Sequence, residues 1–275
     1  MTRKAKGFAT RAFAARVGIL VLLVGLISFA SLSWGADSIR SPQSKAEYCA
    51  LVKQKRTFLH LLNSTESRLD FKNPGGFFNT GLCWWHSRLQ RSSLYLSIYQ
   101  PHRVKPNEAQ IFAILDALYN QRAIIAIPGY ANFRDFSSSN HSTIVKYLST
   151  SQILDSIQGE WVAGLIGHSQ VGAGKLQKLI EGLYQDSVKN GNAIYQMLQM
   201  PGVVAHAWLV LNVTKQGGNY TLTYVDSNYP LETKQYTYRV GETTFIYNSG
   251  TNFVPYTKES SKMNRVWELA QRFCQ

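Results

Sequence analysis

Val203-Val204-Ala205-His206-Ala207-Trp208-Leu209-Val210-Leu211-Asn212-Val213 runs through Gln216-Gly217-Gly218-Asn219 into Tyr220-Thr221-Leu222-Thr223-Tyr224-Val225. Both arms mix β-branched, aromatic and aliphatic residues, and paired glycines separate them. That is the signature of two antiparallel strands joined by a tight hairpin. Pro201-Gly202 marks where this character begins. Gln235 to Val240 and Thr244 to Tyr247 read as two further strands.

Before Pro201 the apolar residues recur with helical spacing. Lys45 to Leu62 reads as an amphipathic helix with Ser44 as N-cap, and Cys83 to about Tyr99 as a second. Asn107 to Asn120 is a third, with Ile111, Ile114, Leu115 and Leu118 on one face. Ile124 to Ile127 is a short apolar run of either type. Asn73-Pro74-Gly75-Gly76 reads as a turn, Ala131 to Ser142 as a polar loop, and Gly164 to Gly174 as a glycine-rich turn region. Ser142 to Ile157 and Leu176 to Val188 are again helical, and Ser260 to Phe273 closes the chain as a helix. Helices first and an antiparallel sheet afterwards make an α+β fold. The expected layout is a helical part over about 37–200, a sheet part over about 201–257 and a C-terminal helix over 258–275.

The chain has 275 residues and a formal charge of +13. Met1 to Arg16 carries five Lys/Arg and no acid, Val17 to Leu32 is continuously apolar or small, and Ser33-Trp34-Gly35-Ala36 ends the run. Basic, apolar and small-residue regions in that order describe a secretory signal over 1–36, with an uncleaved membrane anchor as the alternative. The expected location is therefore secreted or periplasmic. The remaining residues hold enough chain for one large domain and still carry an excess of positive charge, which reads as a solvated basic face or as suited to an anionic envelope surface. No Lys/Arg block stands out, so no nucleic-acid partner is expected.

Three cysteines follow the leader: Cys49, Cys83 and Cys274. In an oxidising compartment paired thiols become disulfides, and an odd one is either intermolecular or a reactive thiol. Cys49 lies in the first expected helix and Cys274 in the last. A bridge between them would leave Cys83 as a thiol.

Cys83 sits where Asn79-Thr80-Gly81-Leu82 gives way to a helix. Helix N-termini stabilise thiolates through partial positive charge and outward-pointing N–H groups. His206 is on a strand, and the hairpin brings Asp226 back beside it. An imidazole activates a thiol, and a carboxylate fixes the imidazole's tautomer and orientation. Cys83, His206 and Asp226 are thus a sufficient set for nucleophilic catalysis, with a half-buried histidine and a turn aspartate as the bland alternative.

A helix-opening Gly81-x-Cys83-Trp84, a strand-borne His206-Ala207 and a following Asp226-x-Asn228 resemble the papain-like cysteine peptidase superfamily, in particular its bacterial members with aspartate as third residue. The order, the long first gap and the short second gap agree with it. The resemblance implies a papain-like fold, Cys83 as nucleophile, His206 as base and then acid, Asp226 as orienter, a peptide or protein substrate, and no cofactor or metal. It departs at the oxyanion position six residues before the cysteine, where the papain pattern has glutamine and this chain has Phe77. Asn79 is the substitute amide in the sequence. His206-Ala207-Trp208 before a strand and an aspartate also resembles transglutaminase-like acyltransferases, which use the same triad with a shorter first gap. A non-catalytic envelope binding protein retaining the fold is the third reading.

Other motifs fail on their chemistry. Gly167-His168-Ser169-Gln170-Val171 lacks the second glycine of a nucleophile elbow, and Gly174-Lys175-Leu176 lacks the hydroxyl a phosphate loop needs. His60, His86, His102 and His141 show no metal-ligand spacing; His86, three residues after Cys83 on the same expected helix, reads as a helix-face residue, with contact to the site as the alternative. Asp37 to Lys72 has the length of a pro-segment.

Overall fold

In chain order the elements are α1 (Lys45–Lys53), α2 (Thr57–Asn63), α3 (Cys83–Leu96), β1 (Ser97–Gln100), α4 (Glu108–Tyr119), β2 (Ile125–Pro128), α5 (Phe133–Ser139), α6 (His141–Gln158), α7 (Ala173–Tyr184), β3 (Ile194–Gln199), β4 (Ala205–Gln216), β5 (Asn219–Asp226), β6 (Tyr229–Tyr238), β7 (Phe245–Tyr247), β8 (Thr251–Thr257) and α8 (Ser260–Cys274). The computed structural model describes residues 40–74, 81–158, 169–200, 205–247, 251–257 and 260–275. All of them belong to a unit spanning Ser38–Gln275. The expected signal over 1–36, the amide Asn79 with Phe77, and residues 164–168 of the Gly164 to Gly174 stretch lie outside the described residues.

The fold is α+β, built on an antiparallel sheet ordered β6-β5-β4-β3-β8-β7. Gly217 and Gly218, at φ 56° and 88°, make the turn between β4 and β5. Two consecutive left-handed residues are what a two-residue hairpin needs, and glycine adopts them without a Cβ clash. Alternate side chains of a strand face opposite ways. Here both faces are buried. Tyr195, Met197, Ala207, Leu209, Leu211 and Val225 join the core shared with α1–α6 and α8. Ile194, Leu198, Trp208, Val210, Leu222 and Tyr224 join a second core with α7. A bulge between Val210 and Asn212 realigns the pairing of β4 with β5.

Several expectations need correction. The first helix breaks at Gln54, which caps α1 at φ −117°, ψ 70°, and restarts at Thr57. The helix from Cys83 stops at Leu96; Ser97–Gln100 then pairs in parallel with Ile125–Pro128. The stretch expected to be a loop contains α5, because Asn132 accepts the Asp135 N–H as an N-cap and Phe133 and Phe136 bury themselves as anchors. β3 lies within the span expected to be helical; its six residues pair with β4, and Met197, Leu198 and Gln199 pair with β8 as well. In the segment with pro-segment length, Tyr48, Phe58, Leu62 and Leu69 are fully buried in the core. Arg68, also buried, donates to the carbonyls of Leu62, Asn63 and Pro230 and to Thr233 Oγ1.

Cys49 and Cys274 form a disulfide with Cα atoms 5.5 Å apart, joining α1 to α8. Tyr48 packs edge-on against Phe273 beside it. The bond suggests an oxidising environment. Among the described residues no helix is long and apolar enough to cross a membrane.

Candidate active site

Cys83 is the first residue of α3, and Leu82 before it gives no side-chain cap. The N–H groups of a first helical turn have no intrahelical acceptor, so uncapped ones face the thiol's end of the helix. Leu82 N–H is instead taken by Asn73 Oδ1 at 2.6 Å. Gly81 turns the chain at φ 75°, and a Cβ there would sit 3.2 Å from Asn73 Nδ2. The close approach and the left-handed backbone both call for glycine.

β4 and β5 present the partners. Asp226 pairs with Trp208, two residues from His206 along β4. His206 Nε2 lies 2.8 Å from Asp226 Oδ1. With Nε2 committed there, Nδ1 is the ring nitrogen left for Cys83, whose side chain is hydrogen-bonded to His206. All three residues are buried. Burial alone pushes the imidazole down, but hydrogen bonds to Asp226 and Cys83, and the charges of both, outweigh it and raise His206 to about 10. Burial pushes the Asp226 carboxyl up. Its hydrogen bond and charge interaction with His206, then the Asn228 N–H and Lys234, hold it below its ordinary value. The site is thus arranged to keep a proton on His206 beside the Asp226 carboxylate.

Two tethers fix the helix to the sheet. Trp84 Nε1 donates to the His206 carbonyl at 3.0 Å. Asn73 makes the second: its backbone N–H donates to Ser227 O at 2.7 Å and its Nδ2 to Asn228 Oδ1 at 3.1 Å. One residue therefore bonds both to the residue before the thiol and to the turn that follows Asp226. The Asn-Pro-Gly-Gly motif marks a turn in the sequence and carries no sign of this bridge.

Two more residues belong to this neighbourhood. Gln152 of α6, buried, donates from Nε2 to the Gly81 carbonyl at 3.0 Å, placing an amide at the turn before Cys83. His86, one helical turn after Cys83, is buried rather than on an exposed face. Its Nε2 meets the Phe71 carbonyl at 2.9 Å and its Nδ1 has no hydrogen-bond partner among the described residues. Since a carbonyl only accepts, Nε2 carries the proton and Nδ1 the lone pair. Burial drives His86 down to about 4; the Phe71 bond and Asp226 oppose this, and His206 adds to it. Two histidines near one aspartate thus hold opposite protonation states at neutral pH. Helical spacing from Cys83 was the one sequence signal for His86. Gln152 had none.

Among the described residues no group of three His, Cys, Asp or Glu side chains is placed to hold a metal ion. Searches of family models, curated proteins and solved structures found no match to this chain.

Proposed function

We propose that this protein is an exported thiol hydrolase of papain-like fold that cleaves amide or peptide bonds through a cysteine acyl-enzyme. The observation that carries the reading is the hydrogen-bonded run Cys83–His206–Asp226 at the N-terminus of α3, with His206 raised to about 10. A helix bearing the thiol against an antiparallel sheet bearing the imidazole and carboxylate supports the papain-like assignment. The leader-like N-terminus and the Cys49–Cys274 bond support export.

In this mechanism Cys83 attacks the substrate carbonyl as thiolate, with His206 as imidazolium. Negative charge on the carbonyl oxygen is met by N–H groups at the start of α3. His206 Nδ1–H protonates the leaving amine, and the C–N bond breaks to leave a thioester on Cys83. Neutral His206 then takes a proton from water, which attacks the thioester. Collapse breaks the C–S bond, releasing the carboxylic acid and leaving the Cys83 thiolate beside the His206 imidazolium. Asp226 keeps its hydrogen bond to Nε2 throughout and stays ionised.

The test is an acyl-enzyme trap. Wild-type protein incubated with a peptide library and quenched in acid should carry a mass adduct on the Cys83 peptide, absent from Cys83→Ala. Turnover by Cys83→Ala equal to wild type would end the proposal.

A further inference from the structure

Away from Cys83, the turn between α1 and α2 faces the turn that follows α7 across a cavity of about 700 Å³. That volume is in the range of small-molecule sites. Lys55, Arg56, His60 and Lys189 line it together with Thr57 and Asn190, and no carboxylate among the described residues does. None of the four basic side chains forms an ion pair with Asp or Glu in the described structure. The nearby Asp186 accepts from Asn190 Nδ2 at 3.0 Å, so the two are bonded to one another.

The walls are held in place. Arg56 reaches across to donate from Nη2 to the Val188 carbonyl. Gly191, at φ 64°, lets the far turn close on the Arg56 stem; a Cβ there would lie 3.0 Å from Arg56 Cγ. Lys55 Nζ stands 4.7 Å over the Trp267 ring. Like charges converging without an acid repel one another, and a bound anion reverses that cost. A guanidinium and two ammonium groups match an anion with several charged oxygens better than a single carboxylate. A hydroxyl and an amide at the rim add polar contacts suited to the carrier of those groups.

We propose that this cavity binds a polyphosphorylated small molecule, at a site separate from the Cys83 centre and independent of its chemistry. The shared recognition element is the phosphate cluster, whether on a soluble ester or on a lipid headgroup.

The full chain is titrated calorimetrically with sodium tripolyphosphate. Saturable one-to-one binding is expected, weakening with added salt. The Lys55→Gln/Lys189→Gln double variant, both exposed positions, should bind at least about tenfold more weakly, since charge-assisted contacts are lost. Its melting temperature should match wild type. Cosedimentation with phosphatidylcholine vesicles carrying phosphatidylinositol bisphosphate, competed by tripolyphosphate, would assign the headgroup. Tripolyphosphate binding without cosedimentation would assign a soluble ester. No saturable binding at about 10 mM tripolyphosphate, or equal affinity in the folded double variant, overturns the proposal.

Discussion

α3 and α7 pack on opposite faces of the same sheet and solve opposite problems. α7 buries Leu176, Ile180 and Leu183 and leaves the rest of its circumference toward solvent. That is an apolar stripe on a surface helix, and its spacing alone explains where it sits. α3 is buried almost all round, and with its apolar residues it takes in His86, Ser87, Gln90, Arg91, Ser92 and Ser93. Buried polar groups cost free energy unless each finds a partner. Gln90 accepts from Leu69 N–H, Ser93 meets Ser97 and Tyr99, and the Arg91 guanidinium lies 5.1 Å over Tyr195. An all-apolar α3 would have been cheaper to fold. The polar version is fixed in direction as well as depth, which suits the nucleophile proposed for its first residue.

The two faces should therefore fail differently. The largest effect belongs to the site. His206→Ala should lower turnover by about 10³-fold or more, on the order of 4 kcal/mol of barrier, while far-ultraviolet circular dichroism stays native. Asp226→Asn should cost less, because an amide still orients an imidazole. A larger loss for Asp226→Asn than for His206→Ala, measured on the same peptide, would remove Asp226 from the orienting role.

On the α7 face the effect should be on stability alone. Ile180→Ala should destabilise by about 2–4 kcal/mol through a core cavity, read by urea unfolding. Turnover per folded molecule should stay unchanged. A parallel fall in turnover would mean the two faces are coupled, and the contrast between the helices would be lost.

The His86 side of α3 should carry a pH signature that α7 lacks. Burial depresses His86 from the ordinary histidine value of about 6.5 to about 4. A depressed histidine contributes stability that is full above about 6.5 and is lost as pH falls toward about 4, amounting to about 3 kcal/mol. His86→Gln keeps a donor for the Phe71 carbonyl and removes the titration. Wild type should lose stability across this window and His86→Gln should lose correspondingly less. Superimposable stability curves from pH 7 to about 4 would show that His86 is not held neutral. The smallest effect is expected from Lys178→Ala on the exposed side of α7, within about 0.5 kcal/mol.

What the sequence made legible follows the same division. The β4–β5 hairpin, the helix from Asn107 with its apolar face, the helical stretch from Leu176 and the Cys49–Cys274 bond rest on local patterns or on elimination among few residues. β3 did not announce itself. Ile194–Gln199 is six residues long, and its strand character comes from pairing with β4 and β8, which lie later in the chain. α5 was hidden by its serines, since Phe133 and Phe136 are too few to show a period. In the site, Cys83, His206 and Asp226 could be named from residue type and order. Asn73, Gln152 and the buried state of His86 could not, because their roles depend on contacts with residues remote in sequence.

The central claim is that His206 activates Cys83, and the alkylation rate of Cys83 measures it directly. Iodoacetamide labelling of wild type and His206→Ala is followed at pH 6 by mass spectrometry of the Cys83 peptide. A thiol beside an imidazolium reacts as thiolate well below the pH at which an ordinary thiol does. Wild type should label at least about tenfold faster than the folded variant. Equal rates, fast or slow, would contradict the account.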